Sequence, residues 1–271
     1  MPLLSEILST TEALWPAALA EDWDAPGLIC GSTTQNVTKV MLTVDVTSEV
    51  VDAALEAGVN LLIAHHPFIM RGVTALSEAT SKGATLAKAI RADLAIYAAH
   101  TNADVVIDGV SDVLAKRLGI RQAISLSDPS SEVGIGRVGE LADSTTLGEF
   151  AKLVARTLPA TATGVRVAGD YNQTVKRVAV CGGAGDSMLP AAVAANADVY
   201  LTADLRHHVS QDAREAALLR DGTPALIDVS HWSSEFLWLD VAATQLRRIY
   251  PDMVFEVCDL RTDPWDFVVT Q

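Results

Sequence analysis

The sequence predicts an α/β protein built from two related domains, and three observations lead there. Apolar stretches of strand length alternate with stretches whose apolar residues recur at helical spacing, the pattern of parallel β-α-β crossovers. The second half of the chain also repeats the first. Val40 falls on Val178 and Ile63 on Leu201 at an offset of 138, while His100 falls on His231 and Asp104 on Glu235 at an offset of 131. Finally, 271 residues are long for one compact core, and the 49% that are apolar are ample for two.

Taken in order, the chain opens with apolar positions at helical spacing over 3–18, so a helix is expected that stops near Pro16. The piece Asp22-Trp23-Asp24-Ala25-Pro26-Gly27-Leu28-Ile29-Cys30-Gly31 is rich in turn formers and reads as a loop before a short strand. A strand over 39–44 follows, then a helix over 47–57 with Thr47 or Ser48 as N-cap and Gly58 after its end. The strand over 59–64 runs straight into His65-His66-Pro67. After a helix around 81–92, the strand 94–99 runs into His100-Thr101-Asn102-Ala103-Asp104, and a helix over 110–118 closes the unit at Gly119.

The polar, turn-forming stretch 125–131 sets the expected domain boundary, giving an N-terminal domain over 1–126 and a C-terminal one over 127–271. The last segment is expected to pack back on the first domain. Beyond the boundary come a strand edge at 134–140, a capped helix over 145–157 and a strand over 165–169. The first pattern then returns: strand 176–181, helix 188–195, and strand 198–202 leading to Ala203-Asp204-Leu205-Arg206-His207-His208. A helix through 213–219 and a strand over 224–229 end at Ser230-His231-Trp232-Ser233-Ser234-Glu235.

Charge and cysteine usage narrow the function classes. A formal charge of −14 argues against nucleic acid as a generic partner. Apolar runs are short and interrupted, and the N-terminus lacks the pattern of a signal peptide, so a cytoplasmic protein with no membrane partner is expected. Cys30, Cys181 and Cys258 are scattered, odd in number and form no CxxC pair, which fits reduced thiols.

The six histidines, His65, His66, His100, His207, His208 and His231, all fall just after predicted strands. One histidine ending an apolar strand is usually a core residue with a satisfied hydrogen bond. Two in a row are different, because neighbouring strand side chains point to opposite faces. For both to reach one place the chain must leave strand geometry after Ala64, as Pro67 suggests. His231 and Glu235 stand four apart, as do His100 and Asp104, the spacing that puts two metal ligands on one helical face. Imidazoles with carboxylates suit Zn, Fe, Mn or Ni better than Mg or Ca. Five such ligands exceed what one tetrahedral ion needs and would suit two ions sharing a water. The loop Cys181-Gly182-Gly183-Ala184-Gly185-Asp186 lacks a Walker lysine and reads first as a tight βα turn, with an anion cradle at Gly182, Gly183 and Gly185 as the second reading.

The set His65-His66-Pro67, His100-Thr101-Asn102-Ala103-Asp104, Thr202-Ala203-Asp204 and His231-Trp232-Ser233-Ser234-Glu235 resembles the Nif-three-like dinuclear-metal family. Its members are often labelled GTP cyclohydrolase 1 type 2 homologs. Asp24-Ala25-Pro26-Gly27-Leu28, Gly134-Ile135-Gly136-Arg137-Val138-Gly139 and the Cys181-Gly182-Gly183 loop match further motifs in the same order. The resemblance implies a metal site in the cleft between two α/β domains and a homohexameric ring. By motif, the ligands would be His65, His66, Asp104, His231 and Glu235, with His100, His208 and Asp204 behind them. Ala25, Ala203 and Val209 depart from the family's usual Asn, Gly and Asp; none is a proposed ligand.

These readings lead to an expected metal-dependent hydrolase with two divalent ions per chain and no catalytic residue separate from the metal-bound water. The family label implies cyclohydrolase chemistry on GTP, with a small molecule such as a nucleotide as substrate. Arg71, Arg137 and Arg206 lie near motifs and are the candidates to meet its phosphates. The alternative is a metal-binding scaffold or regulatory protein without catalysis.

Overall fold

The computed structural model describes residues 1–270. Among them the chain divides into two compact units, one of Met1–Ala103 with Leu239–Thr262, the other of Asp104–Trp238 with the residues from Asp263 on. The first unit holds α1 (Leu4–Leu14), β1 (Gly27–Cys30), β2 (Lys39–Thr43), α2 (Ser48–Glu56), β3 (Leu61–Ala64), α3 (Ser81–Arg91) and β4 (Ala95–Ala98). The single turn α4 (Thr101–Asp104) carries the chain across to the second unit. There follow α5 (Val110–Arg117), β5 (Arg121–Ser125), β6 (Arg137–Thr146), α6 (Leu147–Thr157), β7 (Arg166–Ala168) and β8 (Thr174–Ala184). Next are α7 (Leu189–Ala194), β9 (Val199–Ala203), α8 (His207–Leu218) and β10 (Ala225–Val229). The long α9 (His231–Ile249) begins in the second unit and ends in the first, where β11 (Val254–Val257) completes the sheet.

Among the described residues, the first sheet has the order β1-β4-β3-β2-β11 and the second β5-β6-β8-β9-β10-β7. Strands β2, β3 and β4 pair in parallel, as do β8, β9 and β10. Each trio carries a short antiparallel strand against its third member, β1 against β4 and β7 against β10. The repeat seen in the sequence is therefore a repeat of topology, edge strand included. Its register is shared as well: Val40 pairs with Leu61, and Val178, at the equivalent place, pairs with Val199.

The central strands are apolar throughout because both faces of each sheet are covered. Leu61, Leu62, Ile63 and Ala64 are all buried. In the second unit, Val178 and Val180 face Phe150 and Ile227, while Ala179 and Cys181 face Tyr200 and Leu226 on the other side. Three helices start on a threonine whose hydroxyl accepts a backbone amide three residues on: Thr47 from Val50, Thr80 from Gly83 and Thr146 from Glu149. Each cap satisfies a donor that the first helical turn leaves without an intrahelical partner.

The structure departs from the sequence reading in several places. The first crossing between units lies at Ala103/Asp104, not at 126/127. The helix expected to close the first unit, α5, instead packs on β8 and β5, and its Leu114 and Leu118 belong to the second core. The return of the last segment does occur, through β11 pairing in parallel with β2. The first helix ends at Leu14, with a separate 3-10 turn over Ala17–Leu19. The helix expected from 213 begins at His207. Among the described residues no helix is long and apolar enough to cross a membrane.

Replacing Thr47, Thr80 or Thr146 by alanine should each cost about 1 kcal/mol. Because α2 and α3 belong to the first unit and α6 to the second, Thr47→Ala with Thr146→Ala should cost the sum of the two singles. Urea unfolding followed by circular dichroism measures this; a neutral Thr146→Ala would show that the hydroxyl does not cap α6.

Candidate metal centre

The first histidine group forms where β3 and β4 end. Past Ala64 the backbone stays tied to the neighbouring strand, His65 N to Thr43 O and His66 N to Val44 O, each at 2.9 Å. The chain bends there, and the two rings lie with centroids 5.1 Å apart rather than on opposite faces. The break expected from Pro67 is thus real. His100 follows β4, and its ring stands 5.3 Å from that of His65 and 5.4 Å from that of His66. One donor atom from each of the three imidazoles lies within 4.8 Å of the others.

An acceptor fixes Nδ1 of every one of these rings. His65 Nδ1 is 2.8 Å from the Ala99 carbonyl, which can only accept, so Nδ1 carries a proton. His66 Nδ1 is 2.7 Å from Asp45 Oδ1, and Asp45 is steadied by Thr262, whose hydroxyl donates to Oδ2 at 2.5 Å. His100 Nδ1 is 2.8 Å from Asp24 Oδ1. Asp24 Oδ2 in turn accepts from the Thr101 amide at 3.0 Å and the Thr101 hydroxyl at 2.5 Å, so it also caps α4. Burial pushes the Asp24 carboxyl up, but the hydrogen bonds from His100 and Thr101 outweigh it and hold the group well below the usual carboxylate range.

The second group forms at the start of α9. Ser230 ends β10; its hydroxyl accepts from the Ser233 amide at 3.4 Å and donates to Asp263. The helix therefore begins at His231, and Glu235 lies one turn on, as the spacing implied. His231 Nδ1 is 2.7 Å from Asp204 Oδ2, and its Nε2 is 2.9 Å from Glu235 Oε1. Burial opposes the charged imidazole, yet Glu235 and Asp204 outweigh that and raise its pKa to about 11. The hydrogen bond from His231 holds Asp204 below the usual carboxylate range against the opposing effect of burial. A proton on His231 Nε2 lies between that nitrogen and Glu235 Oε1.

The stretch read from the sequence as a glycine loop is instead the end of β8, which holds Gly182 and Gly183 with Gly185 just past it, and it serves this group by closeness and not by offering amides. Gly183 has φ +67°, and a Cβ there would strike Glu235 Oε1 and lie 3.2 Å from His231 Nε2. A Cβ at Gly185 would run into Thr202 and Tyr200. The Gly182 amide donates to Ser111 Oγ at 3.1 Å and the Gly183 amide to Ser234 Oγ at 2.9 Å. Those two donors are engaged within the chain, so the second reading of this stretch, an anion cradle at Gly182, Gly183 and Gly185, has no support from the first two amides. Cys181, beside it, is buried and its thiol is pushed up to about 12, by burial and then by the Asp104 carboxylate. Burial of this kind disfavours the thiolate, the form a cysteine nucleophile needs.

Other residues named from the sequence fall as follows. Asp104 closes α4, half-buried at the start of the second unit. His208 is exposed in the first turn of α8, its ring 5.2 Å from that of His207. Among the described residues nothing hydrogen-bonds it, so a backing role for His208 has no contact behind it. Arg206 pairs with Asp186. Arg71 is exposed, whereas Arg137 is 2% exposed and turned inward. The sequence reading missed Asp24 and Asp45 as the acceptors behind His100 and His66. The available signal was position: Asp45 follows β2, the strand paired with β3, so its side chain starts level with the two histidines.

Comparison with known proteins places this geometry. The family model described as Duf34/NIF3 (NGG1p interacting factor 3) matches residues 2–264. A Streptomyces coelicolor protein called GTP cyclohydrolase 1 type 2 homolog is 44% identical over 98% of this chain and 94% of its own length. A Clostridium perfringens protein of the same name is 32% identical over 98% and 99%. The crystal structure of a Bacillus cereus protein related to NIF3 superposes with a TM-score of 0.88 at 27% identity, covering 98% of this chain and 99% of that one. The chain belongs to the Duf34/NIF3 family.

Proposed function

We propose that this protein is a metal-dependent hydrolase whose centre takes two divalent ions, held by His65, His66, Asp104, His231 and Glu235. One observation carries the reading: His65, His66, His100 and His231 each have Nδ1 fixed by an acceptor. A ligating histidine needs its second nitrogen held in this way, so that Nε2 keeps its lone pair and the ring its direction. Structural histidines satisfy one nitrogen too, but three following β3 and β4 and a fourth following β10, all with the same nitrogen tied, are a set. Mixed imidazole and carboxylate donors suit Zn, Fe, Mn or Ni.

The ions would supply a water acidic enough to act as a nucleophile at neutral pH and would polarise the bond under attack. The chain's own residues do the rest. Asp45, Asp204 and the Ala99 carbonyl hold the imidazoles in the binding tautomer, and Glu235 lies against His231 within one helical turn. His100, tied to Asp24 and facing His65 and His66, is placed to hydrogen-bond a ligand through Nε2. The name carried by the relatives suggests GTP as a substrate to test. Of the three arginines offered for phosphates, Arg71 is the one both exposed and outside the ion pairs described above. A hexameric ring belongs to the same reading.

Elemental analysis of purified protein should find about two divalent ions per chain. His65→Ala and Glu235→Ala should each lower that content and abolish hydrolysis across a panel of nucleotides, cyclic amides and phosphoesters. A chain that takes up no metal after reconstitution sinks the proposal; activity surviving His65→Ala removes the metal from the reaction. Metal without turnover on any substrate would favour a scaffold.

Gly183→Ala gives a more local check. It should displace Glu235 and lower metal content, while Gly164→Ala, with φ +61° and nothing within 4 Å of its Cβ, should cost about 1 kcal/mol in stability and leave metal unchanged. Equal metal in the two variants would show that Glu235 need not stay where Gly183 lets it lie.

A further inference from the structure

Arg137 is among the largest fully buried side chains, and nothing in the proposed reaction uses it. Burying a guanidinium is expensive unless every donor is matched, and here all five N–H groups have a place to go. Nη1 donates to the carbonyls of Gly134 at 2.6 Å and Gly136 at 2.8 Å. Nη2 donates to the carbonyls of Val106 at 3.0 Å and Val105 at 3.3 Å. Nε lies 3.4 Å from Asp112 Oδ1, and Asp112 is itself buried. Burial lowers the pKa of the guanidinium and Asp112 opposes that shift.

The groups gripped by Nη2 belong to the two residues immediately after Asp104. Residues 105–109 lie between α4 and α5 and form no helix or strand of their own. Their backbone is instead fixed from outside. Val105 O also accepts from the Gly134 amide at 2.8 Å, and the Asp108 amide donates to Asp112 Oδ2 at 2.8 Å. Lys116 ties the same carboxylate and that of Asp108. Gly136, at φ +70°, holds the other side of the grip in a conformation that side chains rarely adopt.

We infer that Arg137 is a positioning residue for Asp104: by holding the Val105 and Val106 carbonyls it fixes the peptide that follows this ligand. The inference rests on the metal reading proposed above for Asp104. An apolar residue would fill the same volume without the desolvation penalty, but it could not bind four carbonyls from two segments at once. The arginine is therefore suited to setting the direction of a loop that lacks secondary structure.

The test compares Arg137→Met, Arg137→Lys and Phe150→Leu, the last a buried substitution in the same unit chosen to match the loss in melting temperature. Amide hydrogen exchange of the metal-free proteins reads the loop, and metal affinity reads Asp104. Arg137→Met should speed exchange across 104–109 about tenfold more than across α6, and weaken metal binding roughly 10–100-fold. Arg137→Lys should recover part of both. Phe150→Leu should move neither. If Arg137→Met does not fold, Asp112→Asn, which removes the charge facing Nε, should loosen the same segment. Unchanged exchange at 104–109, or an equal loss of metal in Phe150→Leu, overturns the inference. Wild-type protein that binds no ion sinks the metal reading alone, and exchange still decides whether Arg137 holds the loop.

Discussion

An imidazole can offer a lone pair from one nitrogen only if its proton is kept on the other, and within each unit acceptors from separate parts of the chain are brought to a histidine Nδ1. The Ala99 carbonyl, Asp45, Asp24 and Asp204 each hold a histidine by Nδ1. Supplying those acceptors draws on distant parts of the chain. Asp24 comes from the turn before β1 and must stay buried to reach His100. Asp45 depends on Thr262, which is in reach only because the chain returns through β11 to pair with β2. A short C-terminal strand thus supports the tautomer of a histidine near the front of the sequence.

The duplication explains why the two halves use this constraint differently. Strand register is common to both, and His66 corresponds to Asp204 at the shared offset of 138. At one position the first half carries a candidate ligand, and the second carries the acceptor that fixes one. Asp204 sits at φ +55°, a left-handed conformation that aspartate tolerates better than most residues. The third strands differ by a single residue. Ala64 pairs with Ala98 and Thr202 with Asp228, yet His100 is two residues past the first partner and His231 three past the second. The added residue lets Ser230 cap α9 and places His231 in its first turn.

Much of this was legible in the sequence, and for identifiable reasons. Central strands are buried on both faces, so they read as unbroken apolar runs; Thr47 and the histidine pair before Pro67 are local signals. The His-x-x-x-acid spacing announced the turn joining His231 to Glu235. The unit crossing was hidden because it falls inside α4, where Ala103 and Asp104 carry no turn signal, whereas the polar stretch near 125–131 connects β5 to β6 within one sheet. Arg137 could not be placed because a charged residue predicts exposure unless its partners are known, and those partners are carbonyls 31 and 32 residues away. The glycines at 182, 183 and 185 left both a tight turn and an anion cradle open because the same residue type serves turns, open amides and close approach alike.

Charge balance connects these features. The chain is acidic overall, at −14, and several of its carboxylates are drawn inward rather than left in solvent. Asp24 has a side chain with no exposure, Glu235 one of 4% and Asp112 one of 10%. Buried carboxylates need a cation or hydrogen-bond donors. Asp112 has Arg137 and Lys116, and Asp24 has the hydrogen bonds of Thr101 and His100. Glu235 has the His231 imidazolium, which the exposed Asp204 also contacts, and the two carboxylates together raise its pKa to about 11. At the first two the cation or donor is permanent, built from side chain and backbone. At the third it is a single proton on Nε2, with the Asp204 contact held separately at Nδ1. A small cationic position fixed on both sides is what separates the His231 group from the chain's structural ion pairs.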